Sequence, residues 1–110
     1  MDLYEQITRL TAELDASIRE LAKNGETLAA AERDYKMELT KTALALRADD
    51  MAVTLINQVI YGLEPVANKR FDRDVAEATY KANQEHINIT KLKLRLLESQ
   101  LSREWGATHE

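Results

Sequence analysis

Cysteine is absent from this chain, which removes disulfide staples, cysteine-based zinc sites and thiol catalysis together. Proline occurs once and glycine three times in 110 residues, so little interrupts a long helix or builds tight turns. Phenylalanine and tryptophan occur once each, which leaves strands short of the residues they favour. Positive charge is not in excess: the formal net charge of −4 argues against a protein that binds duplex DNA by bulk electrostatics, although a local basic patch is compatible with it. The start, Met1-Asp2-Leu3-Tyr4-Glu5, lacks the basic residues and apolar run of a signal peptide, and no stretch approaches a membrane span. The expectation is a soluble, cytoplasmic protein with no membrane partner, in which the Asn88-Ile89-Thr90 sequon is a chance match.

What the chain has in abundance is leucine, alanine and charge of both signs, the latter 31% of the residues. These are good helix formers with solvated faces, and the expected class is all-α. Ile7, Leu14, Leu21, Leu28 and Tyr35 recur every seventh residue, with Leu3, Leu10 and Ala31 at the complementary spacing. A chain in that register is an amphipathic helix with a narrow seam, and another helix must close the seam.

The spacing predicts a long helix over about 3–48. The pair Asn24-Gly25 is a turn signal, yet the repeat stays in phase across it, as a continuous helix requires and a turn does not. Gly25 is then a weak point costing about 1 kcal/mol relative to Ala, and Asn24 a polar seam residue of the kind that fixes register. Asp50 is expected to cap the next element. That element, about 51–61, is the most apolar stretch and carries Val53, Ile56, Val59 and Ile60 on one helical face. A lone strand would leave its backbone unpaired, so a short helix is the expectation, ended by Gly62. Pro65 suits the first turn of a second long helix over about 65–105, followed by a tail at 106–110. All of this is one domain by length.

The second long helix carries two apolar stripes. Phe71, Val75, Ala78, Ala82, Ile89, Leu92 and Leu96 make one; Tyr80, Ile87, Leu94, Leu97 and Leu101 make the other, on a nearly opposite face. A hairpin partner covers only one of them. The expected architecture is therefore a long antiparallel, coiled-coil-like helical hairpin with a short apolar helix at the connection, completed by oligomerisation into a bundle, most simply as a dimer. Ile7, Leu14, Leu21, Leu28, Tyr35, Ile87, Leu92, Leu94, Leu96, Leu97 and Leu101 are the candidate helix-packing or oligomer-interface residues, and the leftover leucine face could equally receive a protein partner.

Catalytic and metal signatures are lacking. The residue three before His86 is Asn83, not the Glu of a di-iron bundle, and Glu85 next to His86 points to another face. Carboxylates are interleaved with bases, as in Glu32/Lys36 and Glu77/Lys81, the ordinary charge pattern of a bundle surface. No phosphate loop or nucleophile elbow is present, so no enzyme activity and no cofactor are expected. No acidic residue occurs from His86 to Leu97, a window containing Lys91, Lys93 and Arg95, with Arg103 and Trp105 beyond it. Bases interleaved with aromatics can hold single strands, although alternate positions spray around a helix and the aliphatic stems also cover apolar surface.

The stretches Ala31-Glu32-Arg33-Asp34-Tyr35-Lys36, Met51-Ala52-Val53-Thr54-Leu55-Ile56 and Lys91-Leu92-Lys93-Leu94-Arg95-Leu96-Leu97-Glu98-Ser99-Gln100 resemble small helical proteins encoded by phages and prophages of Gram-positive bacteria. That family has no established activity. The resemblance implies a setting, a small accessory protein inside an infected or lysogenic cell, and no functional residue. The expected role is a non-catalytic assembly or interaction protein. The alternative is an accessory factor in phage DNA replication or recombination that touches single strands through Lys91, Lys93, Arg95 and Arg103.

Overall fold

The structure, a computed structural model, describes the backbone of residues 2–109 and side chains as far as Ala107. The chain runs through α1 (Leu3–Ala48), α2 (Val53–Val59), a single 3-10 turn (Ile60–Gly62) and α3 (Glu64–His109), with no strand among the described residues. The all-α expectation of two long helices with a short one at the connection is met. α1 starts on a side-chain cap that the periodicity did not reveal: the backbone N–H of Glu5 donates to the Asp2 carboxylate at 2.7 Å. It then passes through Asn24 and Gly25 without a break, and Gly25 keeps a negative φ.

The end of α1 differs from expectation. Asp50 does not cap α2, whose N-terminal flanking residue is Ala52 without any side-chain capping bond. Asp50 instead takes a left-handed conformation, φ 64°, and terminates α1. The Met51 N–H donates to the Leu46 carbonyl and the Asp50 N–H to that of Arg47, the paired bonds of a Schellman motif. The hydrophobic contact that usually accompanies this motif is supplied by Leu46 and Met51, which pack on the same buried cluster. Arg47 adds a bond from its guanidinium to the Met51 carbonyl at 3.0 Å. A capping bond to α2 demands an extended residue just ahead of that helix, and Asp50 lies too early and in the wrong backbone region to provide one.

Other boundaries shift by a few residues. The apolar connector is α-helical only over Val53–Val59 and tightens into the 3-10 turn, which Gly62 closes without a positive φ. α3 begins one residue before Pro65, whose missing N–H falls in the first turn, where helical donors have no partner in any case. It runs to His109, so the expected tail is helical through that residue, and Glu110 lies outside the described residues.

The chain packs as two compact units, where one was expected from its length. One unit comprises Asn24–Tyr80. Its buried cluster is Tyr35, Ile56, Ile60 and Val66, with Leu39, Ala43, Leu46 and Met51 packed against it. The two helices lie antiparallel here, since Gly25 approaches Tyr80 while Tyr35 approaches Arg73. Val66 is fully buried, which anchors the first turns of α3 on the α1–α2 corner. The other unit is made of the described parts of Met1–Lys23 and Lys81–Glu110. Its buried residues are Leu10 and Ser17 on α1 and Asn83, Ile87, Thr90 and Leu94 on α3. They recur at alternating steps of three and four, the spacing of a coiled-coil seam.

Candidate interaction surface

The candidate packing residues sort by unit and face. In the Met1–Lys23/Lys81–Glu110 unit, Ile7, Leu14 and Leu21 are half-buried, Ile87 and Leu94 are buried, and Leu97 is half-buried. In the Asn24–Tyr80 unit Leu28 is half-buried and Tyr35 is buried. Leu92 and Leu96 lie elsewhere: they face outward, 50% and 61% exposed, and Ile89 beside them is 43% exposed. Leu101 is also exposed, at 39%. In the Asn24–Tyr80 unit the same outward register of α3 carries Phe71 and Val75, both exposed. The two stripes of α3 are thus put to different uses, one buried against α1 and one open.

The open stripe is not a consequence of a poorly filled interior. The inward positions beside it are occupied and their polar members satisfied. Thr90, 2% exposed, donates its hydroxyl to the His86 carbonyl at 2.8 Å. Asn83 donates to the Ser17 carbonyl and hydroxyl oxygens. Among the described residues no buried side-chain nitrogen or oxygen lacks a partner. Burying more of α3 inward would therefore gain nothing, and its leucines at the outward positions are left to solvent.

The basic candidates Lys91, Lys93, Arg95 and Arg103 are all exposed. Lys91 and Arg95 are one turn apart on one face of α3, whereas Lys93 falls on the opposite side and Arg103 about a third of a turn away from Lys91. They do not converge on one stripe. His86 is exposed, and no group of three or more His, Asp or Glu side chains among the described residues could hold a metal ion. No helix is long and apolar enough to cross a membrane among the described residues.

Sequence reasoning passed over three residues that the structure makes prominent. Ser17 sits in the same seven-residue register as Leu3, Leu10, Asn24 and Ala31, so the phase of the repeat contained the signal, but its polarity hid it. Asn83 is its partner across the helices. The third is Arg73, whose guanidinium stacks 4.7 Å from the centroid of the Tyr35 ring and pairs with Asp74 at 2.9 Å. The hydrogen bond to the Asp74 carboxylate raises the Arg73 pKa above its ordinary value, so the stack is cationic at every working pH. Arg70 lies over Tyr61 in a similar way, 5.5 Å from its centroid. These contacts tie α3 to α1 and to the 3-10 turn within the Asn24–Tyr80 unit.

The arrangement offers surface and no reaction centre: no candidate nucleophile is paired with a base, and Arg73 is the titratable side chain with a displaced pKa among the described residues. Comparison with protein-family models, with curated proteins and with solved structures yields no match for this chain.

Proposed function

We propose that this chain is a non-catalytic helical assembly protein that associates with itself, most simply as a dimer completing a four-helix bundle, through the outward face of α3. One observation carries the reading. Ile89, Leu92 and Leu96 stand in solvent on a helix whose inward side is already filled by Asn83, Ile87, Thr90 and Leu94. Apolar side chains grouped on one face in this way mark an interaction site, whereas scattered ones need no explanation. The resemblance to small phage and prophage proteins supports an accessory role in the cytoplasm of an infected or lysogenic cell. Light scattering and sedimentation of the purified chain test the reading. A dimer is expected, and replacing Leu92 and Leu96 together by Glu converts it to a monomer with unchanged helicity. A wild-type chain that stays monomeric at high concentration overturns it.

A second reading, contact with single-stranded nucleic acid in replication or recombination, is supported by Lys91 and Arg95, exposed one turn apart on α3. Binding of a labelled single strand that weakens steeply with salt is its expected signature. Absence of binding at low salt removes it.

A further inference from the structure

α3 is one helix through the whole outward stripe, and the stripe keeps a seven-residue register of its own. Val75, Ala82, Ile89 and Leu96 occupy one seam position; Phe71, Ala78, Glu85 and Leu92 occupy the other. The charges flanking this seam are segregated along the helix. Asp72 and Asp74 flank its beginning, and Lys93 and Arg95 flank its later part, all four exposed. A helix that is acidic at one end of a seam and basic at the other complements itself only when reversed.

We infer that the occupant of this face is the same face of a second copy, packed antiparallel about a two-fold axis that crosses α3 between Asn83 and Gln84. This rests on the self-association proposed above and specifies its geometry. In that single register Phe71 meets Leu96 of the second copy, Val75 meets Leu92 and Ala78 meets Ile89, so large side chains close both ends and small ones lie near the axis. The same register sets Asp72 beside Lys93 of the second copy on one flank and Asp74 beside Arg95 on the other. Glu85, the charged member of the seam, comes to lie beside Lys81 of the second copy. A parallel pair would instead place Glu85 against Glu85 inside the seam and leave both acidic residues without a basic counterpart. Like charges juxtaposed in an interface are strongly unfavourable, so charge selects the antiparallel form.

The absence of native cysteine makes the geometry directly readable. Val75→Cys and Leu92→Cys are made as separate proteins and mixed under mild oxidation. A disulfide needs Cα atoms within about 7 Å, which the antiparallel register provides between position 75 of one copy and position 92 of the other. Two copies of position 75 are then about 25 Å apart, given the helical rise. Cross-linking in the mixture and not in either protein alone is expected. Cross-links between two copies of position 75, or a dimer that gives no cross-link in the mixture, overturn the antiparallel pairing while leaving self-association standing; a monomeric wild type overturns both. Charge reversal supplies an independent arm. Lys93→Glu with Arg95→Glu is expected to weaken dimerisation about tenfold or more, and adding Asp72→Lys with Asp74→Lys in the same chain to restore it. Failure of the second pair to restore it overturns the register.

Discussion

Asn83 of α3 donates its side-chain amide to both the backbone carbonyl and the hydroxyl of Ser17 of α1, at 3.0 and 3.1 Å. Both residues are buried in seam positions that an apolar pair could fill. A polar pair in such a seam stabilises less than leucines would, but it forms with good geometry in one register only.

Replacing Asn83 with Ala should therefore cost about 1 kcal/mol, the net worth of a buried hydrogen bond, since the Ser17 carbonyl keeps its place in the α1 ladder. Ser17→Ala combined with Asn83→Leu should raise the melting temperature and broaden the set of species seen by native mass spectrometry. A double replacement that melts lower than the wild type would show that the pair contributes stability and not only register.

Asp50 sits at φ 64° at the end of α1, where a side chain on Cβ crowds the following carbonyl. Asp50→Gly should be neutral or stabilising by up to about 1 kcal/mol, because glycine adopts this conformation freely. Asp50→Val should destabilise by about 1–2 kcal/mol, as a β-branched residue resists it. Urea denaturation with an unchanged m-value separates the two outcomes.

Gly25 lies inside a continuous helix with negative φ, and a Cβ there would stand 3.5 Å from Cε2 of Tyr80, ordinary van der Waals contact. Gly25→Ala is expected to stabilise by about 0.8–1 kcal/mol, the propensity difference, with no packing penalty. A drop in midpoint on urea unfolding would mean that the helix bends at Asn24-Gly25.

The stack of Arg73 on Tyr35 predicts an asymmetric set of substitutions. Tyr35→Phe keeps the ring and should barely move the melting temperature. Arg73→Ala should lower it clearly, and Arg73→Lys should recover only part of the loss, because an ammonium lacks the planar face that lies on the ring. Equal behaviour of Arg73→Lys and wild type would assign the contact to charge alone.

Particular residues show how far the sequence could be read. The seam from Ile7 to Tyr35 was legible because leucines every seventh residue imprint a helical face without reference to any partner. The outward stripe around Leu92 and Leu96 was legible as a second apolar face for the same reason. Ser17, Asn83 and Thr90 were not legible as seam members, because a polar residue is buried only where a partner reaches it, and the partner of Ser17 is 66 residues away. Asp50 was misread because an aspartate serves a helix start and a left-handed helix end equally well. Only the backbone angle distinguishes those roles.

By itself the sequence determined the class and the elements: helix propensity, the scarcity of glycine and proline, and a sustained seven-residue period are local properties that hold whatever the chain packs against. The tertiary structure alone decided which of the two α3 faces is buried and which is left open. Both are apolar and both keep helical period, so periodicity ranks them equally. The inward face is selected by contacts between distant residues, the amide of Asn83 on Ser17 and the guanidinium of Arg73 on Tyr35, that exist only when α1 and α3 lie side by side.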